Sequence, residues 1–271
     1  MKPTDWISRF LVLCVFVAGT ASAGTLYEYE GFNYTAGSSI NSQNGGSGWS
    51  GAWGTPGGLD ATIAPGSLAF GTLAATGGAL STAGFQPPNQ GSSVAYWIRN
   101  LGTPMGADNT TAYVSFLLRP DAGFGFYGGM NFGNVFVGLS GNQAFYGLEG
   151  PLNVNLSSVP VVTGQTVLFV VRFDFLPGND RISLYVNPAP GQAEPAVPSV
   201  LKTDLDVGAV NSLTINNYGG FTIDEIRVGS SFDAVTPPAA AAVPTGSAGW
   251  LVVAAAALTF LGIKAIGPAR L

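Results

Sequence analysis

Nine residues near the middle of the chain, Thr166 to Asp174, constrain the fold more than any other stretch. Alternation places Val167, Phe169, Val171 and Phe173 on one face and Leu168, Val170, Arg172 and Asp174 on the other. A strand apolar on nearly both sides needs cover on both, so it belongs inside a sheet rather than at its rim. After Leu176-Pro177-Gly178-Asn179-Asp180, the run Arg181 to Val186 turns Ile182, Leu184 and Val186 inward, and Asn187-Pro188 stops it. The two runs predict an antiparallel hairpin with a five-residue loop.

Similar short runs recur at Leu26 to Glu30, Ser67 to Leu73, Ser93 to Arg99, Ala112 to Arg119, Val135 to Leu139, Ala144 to Leu148, Ser212 to Asn216 and Phe221 to Val228. No helical period of useful length occurs between Leu26 and Val235, and no unit repeats at the roughly 20- to 50-residue spacing of solenoids and propellers. Charged residues make up only 9% of the chain, and 39 Gly and 18 Pro read as turn formers between short strands. The expected body is all-β, a two-sheet antiparallel sandwich rather than a parallel α/β fold.

The two ends read as addresses. In residues 1–23, Lys2 and Arg9 precede the apolar stretch Phe10 to Val17, and Ala21-Ser22-Ala23 offers the small side chains of a signal-peptide cleavage site. Residues 236–248 form a Pro/Ala-rich linker, and residues 249–271 read as a single transmembrane helix. In it Trp250 stands at one interface, and Lys264 and Arg270 mark the cytoplasmic end. Val243-Pro244-Thr245, Trp250, one apolar helix and a basic end resemble the PEP-CTERM class of bacterial sorting signals and their IPTL-type variants, although Pro-Glu-Pro is absent. The resemblance implies delivery to the membrane and handover to an exosortase-like transpeptidase, which would leave the protein at the cell surface or in the extracellular matrix.

Between the addresses lies a body of residues 24–235. It opens with Tyr29-Glu30-Gly31-Phe32-Asn33-Tyr34 and Gly48-Trp49-Ser50-Gly51-Ala52-Trp53. It closes with Ile223-Asp224-Glu225-Ile226-Arg227-Val228-Gly229 and Phe232-Asp233-Ala234-Val235. These segments resemble the laminin-G-like, concanavalin-A-type jelly rolls. The resemblance implies a two-sheet jelly roll whose first and last strands pair, in a family whose members bind glycans, bind proteins or hydrolyse polysaccharides.

Composition excludes several chemistries. The chain has no histidine, so His-based zinc sites and Ser-His-Asp or Cys-His arrangements are ruled out. Its only cysteine, Cys14, lies in the expected signal segment, leaving the body without disulfides. From Gly24 to Asp233 there are fourteen acidic and six basic side chains, a formal charge of −8 that disfavours nucleic acid as a partner.

Three site hypotheses remain. Tyr34, Trp49, Trp53 and Trp97, with Asn44 or Asp60 as polar partners, are candidates for stacking on a sugar of an extracellular polysaccharide. Asp174, Asn179 and Asp180, or Asp204 and Asp206, could join backbone carbonyls around calcium. A hydrolase would need two cooperating carboxylates. Glu28 and Glu30 share a strand face, whereas adjacent Asp224 and Glu225 are expected on opposite faces. All of these acids read more simply as solvated groups or turn caps. The reading that results is a non-enzymatic, structural or adhesive surface protein, with a polysaccharide hydrolase and a calcium-dependent protein-binding module as alternatives.

Overall fold

A computed structural model describes residues 24–56, 60–82 and 95–240. The expected signal segment with Ala21 and Ala23, and the sorting residues Val243, Pro244, Thr245, Trp250, Lys264 and Arg270, lie outside the described residues. Among the described residues, no helix is long and apolar enough to cross a membrane.

The chain folds as two antiparallel sheets. The larger contains β1 (Leu26–Glu30), β2 (Thr62–Ala64), β3 (Ala79–Ser81), β5 (Thr110–Pro120), β10 (Val167–Phe175), β11 (Arg181–Val186), β12 (Val200–Lys202) and β14 (Phe221–Gly229). The smaller contains β4 (Ala95–Met105), β6 (Gly128–Phe132), β7 (Val135–Leu139), β8 (Phe145–Glu149), β9 (Val154–Pro160) and β13 (Val210–Asn217). Strand order is β12-β11-β10-β5-β14-β3-β2, with β1 also on β14, against β4-β13-β6-β7-β8-β9. A short helix, α1 (Phe232–Val235), follows β14 and is capped by Ser231.

The hairpin expected from residues 166–186 is β10 and β11, paired from Phe169↔Val186 to Asp174↔Arg181. β10 is interior, flanked by β5 on its other side. Its two apolar faces bury against different things. Val167, Phe169, Val171, Phe173 and Phe175 enter the core between the sheets, where Phe116 stacks on Phe169 at 5.0 Å. Leu168 and Val170 join Leu117, Leu68, Leu73, Phe232 and Val235 in a second cluster. The loop around residues 65–76 and α1 therefore supply the outer cover that the sequence of β10 demands.

Ser67 to Leu73 is not a strand. Its alternating apolar residues serve that outer cluster, and its backbone makes one isolated bridge, Leu73↔Pro238. Several short or glycine-rich strands carried no sequence expectation: β2, β3, β6, β9 and β12.

β1 pairs with β14, so the first and last strands are neighbours. Thr25 N donates to Ser230 Oγ at 2.8 Å, and Ser230 N to Thr25 O at 2.9 Å. Both ends of the body thus leave from one place. The first residues of the expected linker are also packed on the body. Ala74 N donates to Pro237 O at 2.9 Å and Ala239 N to Thr72 O at 2.7 Å.

β14 contains a bulge between Asp224 and Arg227, with Glu225 at φ 55°. The extra residue resets the alternation, so that Ile223, Ile226 and Val228 all reach the core. It also overturns the expectation for the adjacent acids. Ser67 Oγ hydrogen-bonds the Asp224 carboxylate and donates to Glu225 Oε1 at 3.4 Å, so both acids turn to one side.

Candidate functional site

Three of the four aromatic residues expected to form a sugar platform, Tyr34, Trp49 and Trp53, converge, but on a buried ion pair rather than on solvent. Glu30 on β1 accepts from Arg99 Nη1, from Tyr34 Oη at 2.7 Å, from Trp53 Nε1 at 3.0 Å and from Phe32 N at 2.8 Å. The Arg99 guanidinium lies 4.9 Å from the Trp49 ring centroid and 5.5 Å from that of Trp53. Arg99 also donates to Gly45 O and Gly51 O, and more distantly to Asn44 Oδ1. Trp53 and Trp97 are 2% and 0% exposed, too deep to offer a face to a sugar. Tyr34 and Trp49 are half-buried against the same core, and Asp60 is exposed and accepts from Ala61 N. Glu30, Arg99, Tyr34, Trp49 and Trp53 together close the seam where β1 of one sheet meets β4 of the other.

The acids read as solvated are mostly internal. Glu28, Glu30, Asp224 and Glu225 are fully buried. Glu28 accepts from Thr103 N at 2.7 Å, and burial raises its carboxyl above the ordinary range. Burial also pushes the Asp224 carboxyl up to about 8, against the hydrogen bond from Ser67, with Glu225 adding to the rise.

The three residues considered for calcium are used separately. Asp174 accepts from Arg172 Nε at 2.9 Å and Thr111 Oγ1 at 2.8 Å on the outer face of β10. Asp180 is buried and accepts Leu176 N and Val207 N, each at 2.8 Å, which anchors the hairpin loop. Asn179 is exposed in that loop. Asp206 accepts Gly208 N, and Asp204 pairs with Lys202. Among the described residues no group of three or more acidic, His or Cys side chains converges on a metal-sized centre.

A different surface has the features of a binding site. A groove of about 350 Å³ opens on the outer face of the smaller sheet, lined by Tyr96, Tyr127, Asn131, Phe136, Glu149 and Asn216, with Asn134, Gly150 and Pro151 at one end. Strand register builds it. Thr214, Asn131, Phe136 and Glu149 lie side by side across β13, β6, β7 and β8. One step along, Asn216, Gly129, Gly138 and Gly147 form a parallel row. The glycines are mid-strand, not turn formers. A Cβ on Gly138 would stand 2.2 Å from Gly128 O, and one on Gly129 3.0 Å from the Phe136 ring. The Tyr127 and Phe136 rings meet edge to face at 5.4 Å over this bare strip.

Polar groups are aimed across the same strip. Glu149 accepts from Tyr127 Oη at 3.2 Å and Ser140 Oγ at 2.5 Å. Burial, and then the neighbouring Glu149 charge, raise the Tyr127 phenol, which keeps it a donor. Asn216 Nδ2 donates to Asn131 Oδ1 at 3.4 Å, while Asn216 Oδ1 is shielded from solvent and has no hydrogen-bond partner among the described residues. No Lys or Arg lines the groove.

Sequence reading passed over all six principal lining residues. A signal was there. Tyr127-Gly128-Gly129-Met130-Asn131, Phe136-Val137-Gly138-Leu139-Ser140 and Phe145-Tyr146-Gly147-Leu148-Glu149 share one pattern, aromatic-x-Gly-x-polar. In antiparallel strands that pattern lays an aromatic beside a polar group at each end of a glycine row.

No family model matches the chain, and no curated protein matches it. Among solved structures, it is similar to an endo-β-1,4-glucuronan lyase from the fungus Trichoderma reesei, with 13% identity and a TM-score of 0.43, over 79% of this chain and 99% of that one. It is also similar to peanut lectin, at 10% identity and a TM-score of 0.34, over 60% of this chain and 90% of that one. An alginate lyase from Chlorella virus aligns at 7% identity and a TM-score of 0.35, over 62% of this chain and 89% of that one.

Proposed function

We propose that the chain is an exported, surface-held protein without catalysis of its own, and that the groove on the smaller sheet binds an uncharged polysaccharide. The observation that carries this reading is the lining. Tyr96 is exposed and Tyr127 half-buried, so their rings offer apolar faces to sugar C–H groups, and the Asn131 and Asn216 amides face the hydroxyls. An absence of Lys and Arg, on a body of charge −8, argues against acidic sugars.

The non-catalytic reading has a geometric support. Glycoside hydrolysis commonly uses two carboxyl groups about 5–10 Å apart across the scissile bond. The groove holds one, Glu149, already engaged by Tyr127 and Ser140. Export through residues 1–23 and membrane delivery through residues 249–271 belong to the same proposal. The body suits them, because β1 begins just after the expected cleavage site and both ends of the body emerge together.

Screening the purified protein on an array of neutral and acidic glycans tests the binding. Neutral hits that weaken about tenfold or more in Tyr96→Ala and Asn216→Ala are expected. Absence of hits, or hits untouched by both changes, rejects the groove. Mass spectrometry of the mature termini in fractionated producing cells tests the export, and an intact residue 1–23 segment in the cytosol rejects it.

A further inference from the structure

Lys202 ends β12, the outermost strand of the larger sheet, and its side chain is fully buried. It reaches across the second seam of the sandwich, where β12 lies beside β8 and β9 of the smaller sheet. There Nζ hydrogen-bonds Asn153 Oδ1 and contacts Asn153 O and Asn155 Oδ1, each at 3.4 Å. Asp204 Oδ1 stands 2.9 Å from the same nitrogen. On the other side of the amide, Asn153 Nδ2 donates to Asp204 Oδ2 at 2.7 Å. The lysine stem runs over Gly150, where an added Cβ would come within 2.6 Å of Lys202 Cε.

From this geometry we infer that Lys202 and Asn153 join in an intramolecular isopeptide bond, formed by the protein itself, which staples the β12 seam of the sandwich. One carboxylate touches both the nucleophile and the leaving group. The amide carbon lies one bond beyond the oxygen that Lys202 contacts, so the fold holds nucleophile and electrophile side by side. The hydrogen bonds from Lys202, then Asn153, hold Asp204 below the usual carboxylate range, so it stands ionised beside the Lys202 ammonium.

The step balances without any co-reactant. Asp204 takes a proton from the Lys202 ammonium, and the free amine attacks Asn153 Cγ. A new C–N bond forms and the carbonyl electrons move onto oxygen. Asp204 returns the proton to Nδ2, the carbonyl re-forms as the Cγ–Nδ2 bond breaks, and the departing ammonia takes the second proton from the attacking nitrogen. The products are a secondary amide and one ammonium ion, with nothing oxidised or reduced. Such a staple suits a body whose residues beyond 23 contain no cysteine to form a disulfide.

Trypsin digestion of the denatured full chain decides the matter. Cleavage after Arg and Lys, but not before Pro120, releases residues 100–172, 173–181, 182–202 and 203–227 from an unlinked chain. The linked chain instead gives residues 100–172 joined to residues 182–227, uncut at Lys202 and about 17 Da lighter than the two together. Asp204→Asn and Lys202→Arg should release separate peptides of full mass. Free 182–202 with unmodified 100–172 from the wild-type protein overturns the inference, whatever the variants do. A branched peptide that survives Asp204→Asn overturns the role given to Asp204.

Discussion

Glu30 on β1 and Arg99 on β4 form an ion pair that is closed to water, with side-chain exposures of 0% and 1%. The pair joins the two sheets at their first seam and organises the loop that carries Tyr34, Trp49 and Trp53. Its worth lies in what its loss would leave behind. Glu30→Gln strands a guanidinium between two indoles with no counter-charge and should destabilise the fold by about 3–5 kcal/mol. Chemical denaturation measures this. Replacing both residues by apolar ones of similar size should cost clearly less. Equal losses in the single and double variants would show that packing, not charge, holds the seam.

Asp224 makes stability fall as pH rises through neutrality, and the sign follows from the direction of its shift. Its carboxyl is raised from an ordinary 3.8 to about 8 in the fold. Between these values the unfolded chain binds fewer protons at this group than the folded chain, so stability falls as pH rises through the window. The penalty is absent below about pH 4 and complete above about pH 8, reaching at most about 6 kcal/mol. Thermal unfolding from pH 5 to 9 should show the decline, and Asp224→Asn should remove most of it. An unchanged slope in the variant would place the titration elsewhere.

Glycine rows make a sharper test of the groove's architecture. Gly138 has φ 141°, and a Cβ there would lie 2.2 Å from a strand carbonyl. Gly138→Ala should therefore destabilise by about 3 kcal/mol or more, because backbone must move. Gly178, at φ 91° in the β10–β11 loop, has nothing within 4 Å of that position. Gly178→Ala should cost only the backbone strain, about 1–2 kcal/mol. Similar losses in the two variants would refute the view that the row is bare because the strands demand it.

How much of this was legible in the sequence differs by level. Long apolar runs announced themselves: Val135–Leu139 and Arg181–Val186 are strands at the expected bounds. Gly128–Phe132 did not, because two glycines lower strand propensity and imitate a turn. Ser67 to Leu73 imitated a strand, because residues that cover Leu168 and Leu117 alternate much as strand residues do. The acids failed for a different reason. Glu28 and Glu30 look like solvated edge residues until Thr103 and Arg99, some seventy positions away, supply their partners. The bulge at Glu225 is a backbone event with no local signature, and it alone brings Asp224 and Glu225 to one side. The groove depends on register between strands distant in sequence, which the repeated aromatic-x-Gly-x-polar pattern encodes only once the pairing is known.

The boundary of the body is testable by truncation, and it bears on where a tether would leave. Composition places the linker from Thr236 onward, yet Thr236 is fully buried, and its hydroxyl donates to Phe232 O at 2.8 Å. Gly191 N donates to Thr236 O, Ala74 N to Pro237 O, and Ala239 N to Thr72 O. These bonds hold the loop of residues 65–76 and α1 over the outer face of β10, where Leu68, Leu73 and Val235 are buried. A chain ending at Val235 loses all of them, and at about 1 kcal/mol net for each it should be about 2–4 kcal/mol less stable than one ending at Ala240. Paired thermal melts of the two truncations measure the difference. Identical melting would mean that the body ends where the prolines begin, and that the loop over β10 is held by its apolar contacts alone.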